Sequence, residues 1–156
     1  MPRAKSTDSN IGEIFTLGVY VLTLKINDDI VQTVTPQLMP ISWNPLLLVA
    51  SIKKTDPLAT SISKDQTIWI NVLMAGERTT VESLLESRPK LPDDVEVHQD
   101  NNTVLSKSVL ALECSVIEIT EQGDSLLIIL RSNRHFMPSQ GQPLTLRQSG
   151  LASHFY

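Results

Sequence analysis

The sequence predicts an all-β to α+β domain, a barrel of about six or seven antiparallel strands with two or three short helices. Three observations predict it. Short runs rich in Val, Ile, Leu and Thr recur along the chain, and such residues suit a pleated, half-buried surface. Turn-forming residues separate the runs, as in Asn27-Asp28-Asp29 and Gln122-Gly123-Asp124. Many strands joined by hairpins favour closure, because a closed sheet has no exposed edges.

Each element follows from local chemistry. Residues 19–25 are β-formers, and residues 30–35 return as their partner strand. Pro36, Pro40 and Pro45 punctuate the next stretch, which reads as a loop over residues 36–45. Residues 46–52 are a nearly continuous apolar run, the pattern of a strand buried on both faces. Asp56-Pro57 reads as a helix start, with a short helix through Ser63. Residues 67–74 form a strong strand. Thr79 and Glu82 have the spacing of a capping box, for a helix that holds Leu84 and Leu85 and stops before Pro89. Residues 88–103 are polar and loop-like. Residues 109–119 form a long strand with Leu110, Leu112, Cys114 and Val116 on one face. Residues 125–130 return across the Gly123 hairpin, and residues 143–146 supply a last strand.

Composition narrows the function. The 156 residues are 41% hydrophobic and 19% charged, a balance that folds rather than staying disordered. The length suits one domain, expected over residues 11–156 behind a polar tail of residues 1–10. A net charge of −4 argues against bulk nucleic-acid binding, which needs Lys and Arg to displace counterions. The single Cys114 can form no intramolecular disulfide and excludes a zinc site of paired cysteines, so a reducing, cytoplasmic setting is expected. No apolar stretch follows the first basic residues, so no signal peptide is expected. The uncharged stretch 30–52 is broken by three prolines and several polar residues, so no membrane span is expected.

Four segments and the ending carry a resemblance. They are Phe15-Thr16-Leu17-Gly18-Val19, then Asn44-Pro45 with the apolar run 46–52, then Trp69-Ile70-Asn71-Val72-Leu73. The fourth runs from Val104-Leu105 through residues 111–116, and the chain ends Ser149-Gly150-Leu151-Ala152-Ser153-His154-Phe155-Tyr156. In this order, over residues 14–156, the chain resembles the flavin reductase-like domain, the FMN-binding split barrel. The C-terminal reductase-like module of flavodiiron proteins is similar.

The resemblance implies a split barrel that binds FMN at the interface of a homodimer. It implies either hydride transfer from NAD(P)H, a transient co-substrate, to flavin N5, or an electron relay to a redox protein partner. The family's ring- and phosphate-binding loop falls on Thr33, Thr35, Pro36, Gln37 and Leu38, and its second phosphate-binding segment on Lys53, Lys54 and Thr55. Asn71 matches the family's Asn in the following strand, and His154 and Tyr156 match the closing stretch, expected to cover the flavin or the nicotinamide.

The sequence also departs from the pattern. Pro36 removes a backbone donor, Gln37 is longer than the usual Ser, and Ser125 stands where many members carry a His. Pro89-Lys90-Leu91 replaces the usual Asp-Arg/Lys-Phe. These departures motivate an alternative: a non-catalytic binding or assembly protein on the same barrel that has lost FMN. A haem-related split barrel is a weaker third reading, because no His sits on a convincing ligand-bearing element.

Simpler structural readings stand beside these roles. The lysines could be a solvated pair at a strand end, and residues 33–37 ordinary strand-end polar groups. Trp43 and Trp69 read as core, and His98 and His135 as solvent-facing loop residues. Cys114 reads as a small buried hydrophobe. Asp93, Asp94 and Glu96 read as a solvated loop.

Overall fold

The computed structural model describes residues 14–155, so the expected tail and Tyr156 lie outside the described residues. The strands are β1 (Tyr20–Ile26), β2 (Asp29–Thr35), β3 (Leu38–Trp43), β4 (Leu46–Lys53) and β5 (Thr67–Leu73). After them come α1 (Arg78–Ser87), β6 (Val97–His98), β7 (Asn101–Leu105), β8 (Ser108–Gln122), β9 (Ser125–Phe136) and α2 (Leu146–Ser149). A 3-10 turn, Ala152–His154, follows.

Seven strands form one antiparallel sheet in the order β2-β1-β5-β8-β9-β4-β3. β2 and β3 are its two ends, yet only Pro36 and Gln37 separate them along the chain. Two residues reach about 7 Å, so the sheet must roll until its ends meet at that corner. There the Thr35 hydroxyl donates to the Ser51 carbonyl (2.7 Å), and the Ser51 N–H donates to the Gln37 carbonyl (2.9 Å). The split-barrel architecture expected from the sequence is the one observed.

Alternation fills the barrel. Leu22 and Leu24 of β1, Ile68 and Ile70 of β5, Cys114 and Val116 of β8, and Ile128 and Leu130 of β9 point inward and are buried. Leu58 and Ile62 join the same core. Outside the barrel, Val21 and Leu73 are covered by Val81 and Leu84 of α1 and Leu105 of β7. β1 is therefore buried on both faces from Val21 to Leu24, with Thr23 the polar member of the outer face. Asn71 is fully buried there: its amide N–H groups reach the carbonyls of Val21 and Thr103 and the Thr23 hydroxyl, and its Oδ1 accepts from Leu105 N–H (2.9 Å). It pins the β6–β7 hairpin to the sheet.

Several local expectations are corrected. Residues 38–43 form an edge strand rather than a loop. Pro40 is tolerated because an edge strand need not donate on both sides, and a register shift follows it before Ser42. Residues 54–61 make successive turns rather than a helix. Asp56 caps the first, its Oδ1 accepting from Leu58 N–H (2.8 Å), but bonds such as Ala59 N–H to the Asp56 carbonyl close only three residues back. Thr79 lies inside α1, whose N-cap is Glu77, so the Thr79–Glu82 box does not form; Glu82 instead pairs with Arg78 (2.7 Å). Residues 97–105 form a hairpin that begins inside the loop expected over 88–103 and runs two residues past it. Residues 143–146 make isolated bridges rather than a strand, and α2 begins at Leu146 with its own capping box of Thr145 and Gln148.

β4 is not buried on both faces. Leu48, Ala50 and Ile52 are buried, while Leu47, Val49 and Ser51 are only half-buried. Met39, Val49 and Ile129 lie side by side in register across β3, β4 and β9, on the outer face. Trp43 is 79% exposed rather than core. Trp69 is buried, edge-on to Phe136. His98 and His135 lie on strands rather than loops; His135 is exposed, while His98 is half-buried against Phe136.

Candidate functional site

A cavity of about 210 Å³ opens at the corner where the sheet's ends meet. One wall is Val34, Thr35, Pro36 and Gln37, from the end of β2 and the link to β3. The facing wall is Ser51, Ile52 and Lys53 of β4, followed by Thr55, Asp56 and Pro57. Arg88, His154 and Phe155 complete it. Segments far apart in sequence thus converge, and the roll of the sheet is what brings them together.

Arg88 arrives by a separate route. After α1, the chain runs beside the outer edge of β2: Gln32 N–H donates to the Pro89 carbonyl (2.6 Å) and Leu91 N–H to the Ile30 carbonyl (3.2 Å). The Gln32 side chain, fully buried, donates to the Leu84 and Lys90 carbonyls (2.9 and 3.2 Å). These bonds fix the end of α1 against β2 and deliver Arg88 to the cavity.

The cavity's charges are two cations, Lys53 and Arg88, against one carboxylate, Asp56. Asp56 is buried, its side chain 5% exposed. Its Oδ2 accepts from the Thr33 hydroxyl and lies 3.5 Å from Arg88 Nη1. The remaining cationic excess suits an anion, and the Thr55 hydroxyl adds a neutral donor. Pro36 has no N–H, and Gln37 N–H is already donated to Thr35 Oγ1 (3.1 Å). At this corner neither residue keeps a free backbone N–H, and the exposed Gln37 side chain lines the cavity.

The structure brings Thr35, Pro36, Gln37, Lys53, Thr55 and His154 to one cavity. It does not bring the other expected residues there. Lys54 pairs with Glu121 (3.2 Å), its backbone N–H donating to the Asp124 carbonyl. Asn71 is spent on pinning the hairpin. Leu38 packs against the barrel core. Thr33 is fully buried, and its hydroxyl donates to Asp56. Tyr156 lies outside the described residues.

Arg88 and Asp56 were not expected at the site. Arg88 lies in a polar stretch with no pattern, 32 residues from its partner, and Asp56 entered the sequence reading only as the start of a helix. Cys114, inside the barrel, is no nucleophile: burial, and secondarily the Glu113 charge, pushes its thiol up to about 12. No group of three or more His, Cys, Asp or Glu able to hold a metal occurs among the described residues. No helix among them is long and apolar enough to cross a membrane.

The model of the flavin reductase like domain matches residues 12–153. The chain belongs to this family. Among solved structures, it is similar to the NADH:FAD oxidoreductase SgcE6 of Streptomyces globisporus: 17% identity, 88% of this chain and 85% of that one, TM-score 0.76. It is similar to BorF, the flavin reductase component of a bacterial two-component tryptophan halogenase: 15% identity, 94% of each chain, TM-score 0.78. It is also similar to the styrene monooxygenase flavin reductase of Pseudomonas putida: 18% identity, 89% of this chain and 91% of that one, TM-score 0.76. At these identities the structural likeness establishes the fold. No curated protein sequence matches. Family membership supports flavin reductase or electron-relay chemistry with a flavin and a nicotinamide nucleotide, and does not favour the non-catalytic alternative.

Proposed function

We propose that this flavin reductase-like domain, residues 11–156, is a cytoplasmic FMN-binding oxidoreductase that takes NAD(P)H as a transient co-substrate. The carrying observation is the convergence of Lys53, Thr55 and Arg88 with the Thr35–Gln37 corner in one cavity. Lys53, Thr55 and Arg88 suit the phosphate: two cations and a hydroxyl, only partly offset by a carboxylate. Gln37 and Thr35 face the ring side, and His154 completes the lining. FMN, when bound, supplies a ring that accepts a hydride. The chain's own residues bind, orient and shield, and no protein nucleophile is needed. The electrons then pass to free flavin or to a redox protein partner.

The working form is a homodimer. A cavity of about 210 Å³ is smaller than the about 300–1,000 Å³ of sites that enclose a ligand of this class. One chain therefore cradles the tail, and a second copy covers the ring. The apolar run of β4 supports this: its sequence asks for burial on both faces, and a single chain covers only one. Met39 and Val49 on the uncovered face adjoin Gln37 and Ser51 at the cavity, two residues along β3 and β4.

The experiment is a titration of the purified protein with FMN, FAD and riboflavin, followed by flavin fluorescence and the visible spectrum. Saturable binding with FMN ahead of riboflavin is the expected result. A protein that ignores all three flavins would falsify the proposal.

A further inference from the structure

A carboxylate in a cavity for a phosphate is, at first sight, misplaced. We infer that Asp56 is a positioning residue that holds Arg88 ready for the phosphate, rather than a charge that repels it; this rests on the flavin reading of the same cavity.

The geometry separates the two roles. Both carboxylate oxygens are engaged: Oδ1 accepts from Leu58 N–H at 2.8 Å, and Oδ2 faces the Thr33 hydroxyl and Arg88 Nη1. Both residues line the cavity, but the Asp56 side chain is 5% exposed and that of Arg88 34%. The anion is the more buried of the pair, and the cation the more accessible. Arg88 is anchored a second time, its Nε donating to the Leu85 carbonyl (3.3 Å). Two anchors fix the plane of a side chain that otherwise samples many rotamers, and its remaining N–H groups can meet a phosphate without first being ordered. Removing Asp56 frees Arg88 to swing into solvent. Thr33, buried in β2, braces the carboxylate in turn.

Asp56→Asn tests this, because the amide preserves the shape and removes the charge. FMN and riboflavin affinities are measured for the wild type, Asp56→Asn, Arg88→Gln and the double variant, with melting temperatures to confirm folding. We expect Asp56→Asn to weaken FMN by about tenfold, the scale of one charge-assisted bond, and riboflavin by less than about twofold. We expect the double variant to bind FMN no more weakly than Arg88→Gln alone. If Asp56→Asn does not fold, Thr33→Val reports the same ratio, reduced in the same direction. An FMN affinity that rises on Asp56→Asn, an unchanged FMN-to-riboflavin ratio, or independent losses in the double variant overturns the inference and leaves the flavin reading intact. A wild type that binds no flavin removes both.

Discussion

The Thr35 hydroxyl reaches across the seam of the barrel to the Ser51 carbonyl at 2.7 Å. This bond ties the last residue of β2 to β4, and both residues line the cavity. Thr35→Val keeps the β-branched shape and removes the donor. The loss should be about 1 kcal/mol of stability, read from urea unfolding, with weaker flavin binding. A variant that keeps full stability and full affinity would show that the clasp is incidental.

The two adjacent lysines should behave differently. Lys53 lines the cavity, and Lys54 pairs with Glu121 on the β8–β9 hairpin. Lys53→Ala should weaken FMN by about tenfold, ~1.4 kcal/mol, and leave riboflavin nearly unchanged. Lys54→Ala should change neither by more than about twofold, since an exposed pair contributes little. Equal losses from both would contradict the assignment.

The apolar outer face of β3, β4 and β9 gives a further expectation. Val49→Asp puts a charge into the stripe of Met39, Val49 and Ile129. Light scattering should find a dimer for the wild type and a monomer for the variant, with flavin affinity falling along with assembly. A monomeric wild type that binds flavin at full strength would remove the dimer from the account.

Cys114 gives a pH dependence. Burial first, and the Glu113 charge second, raise the thiol to about 12 in the folded chain, whereas an unfolded thiol titrates near pH ~8.5. Between those values the folded state keeps a proton that the unfolded state releases. This contribution to stability is fully present below about pH 8.5 and is lost as pH rises towards 12. Urea midpoints measured at rising alkaline pH should fall more steeply for the wild type than for Cys114→Ala. Parallel slopes would contradict the assigned burial effect.

The sequence carried the fold further than the site. Strands β1, β2, β5, β8 and β9 were legible because alternation and turn residues such as Gly123 are local signals. β3 was hidden because Pro40 and Pro45 read as loop, and only knowledge that this is an edge makes Pro acceptable. The turns after Asp56 were hidden because a cap and a proline signal a start without saying whether a helix follows. The family likeness pointed to Thr35, Gln37, Lys53 and Thr55, and the fold gathers these four at one cavity. Arg88 was not, because its place depends on residues 89–91 running beside β2, a contact between distant segments that leaves no periodic trace. Asn71 was noticed for its identity, but its work is structural: its hydrogen bonds all reach other segments of the chain.

Anaerobic mixing of the FMN-loaded protein with NADH or NADPH tests the central claim most directly. The account predicts that the visible absorbance of the oxidised flavin bleaches, with one nicotinamide consumed per flavin. It also predicts that Lys53→Ala with Arg88→Gln slows this at limiting FMN and recovers when FMN is raised. Bound FMN that stays oxidised with both nucleotides would contradict the account.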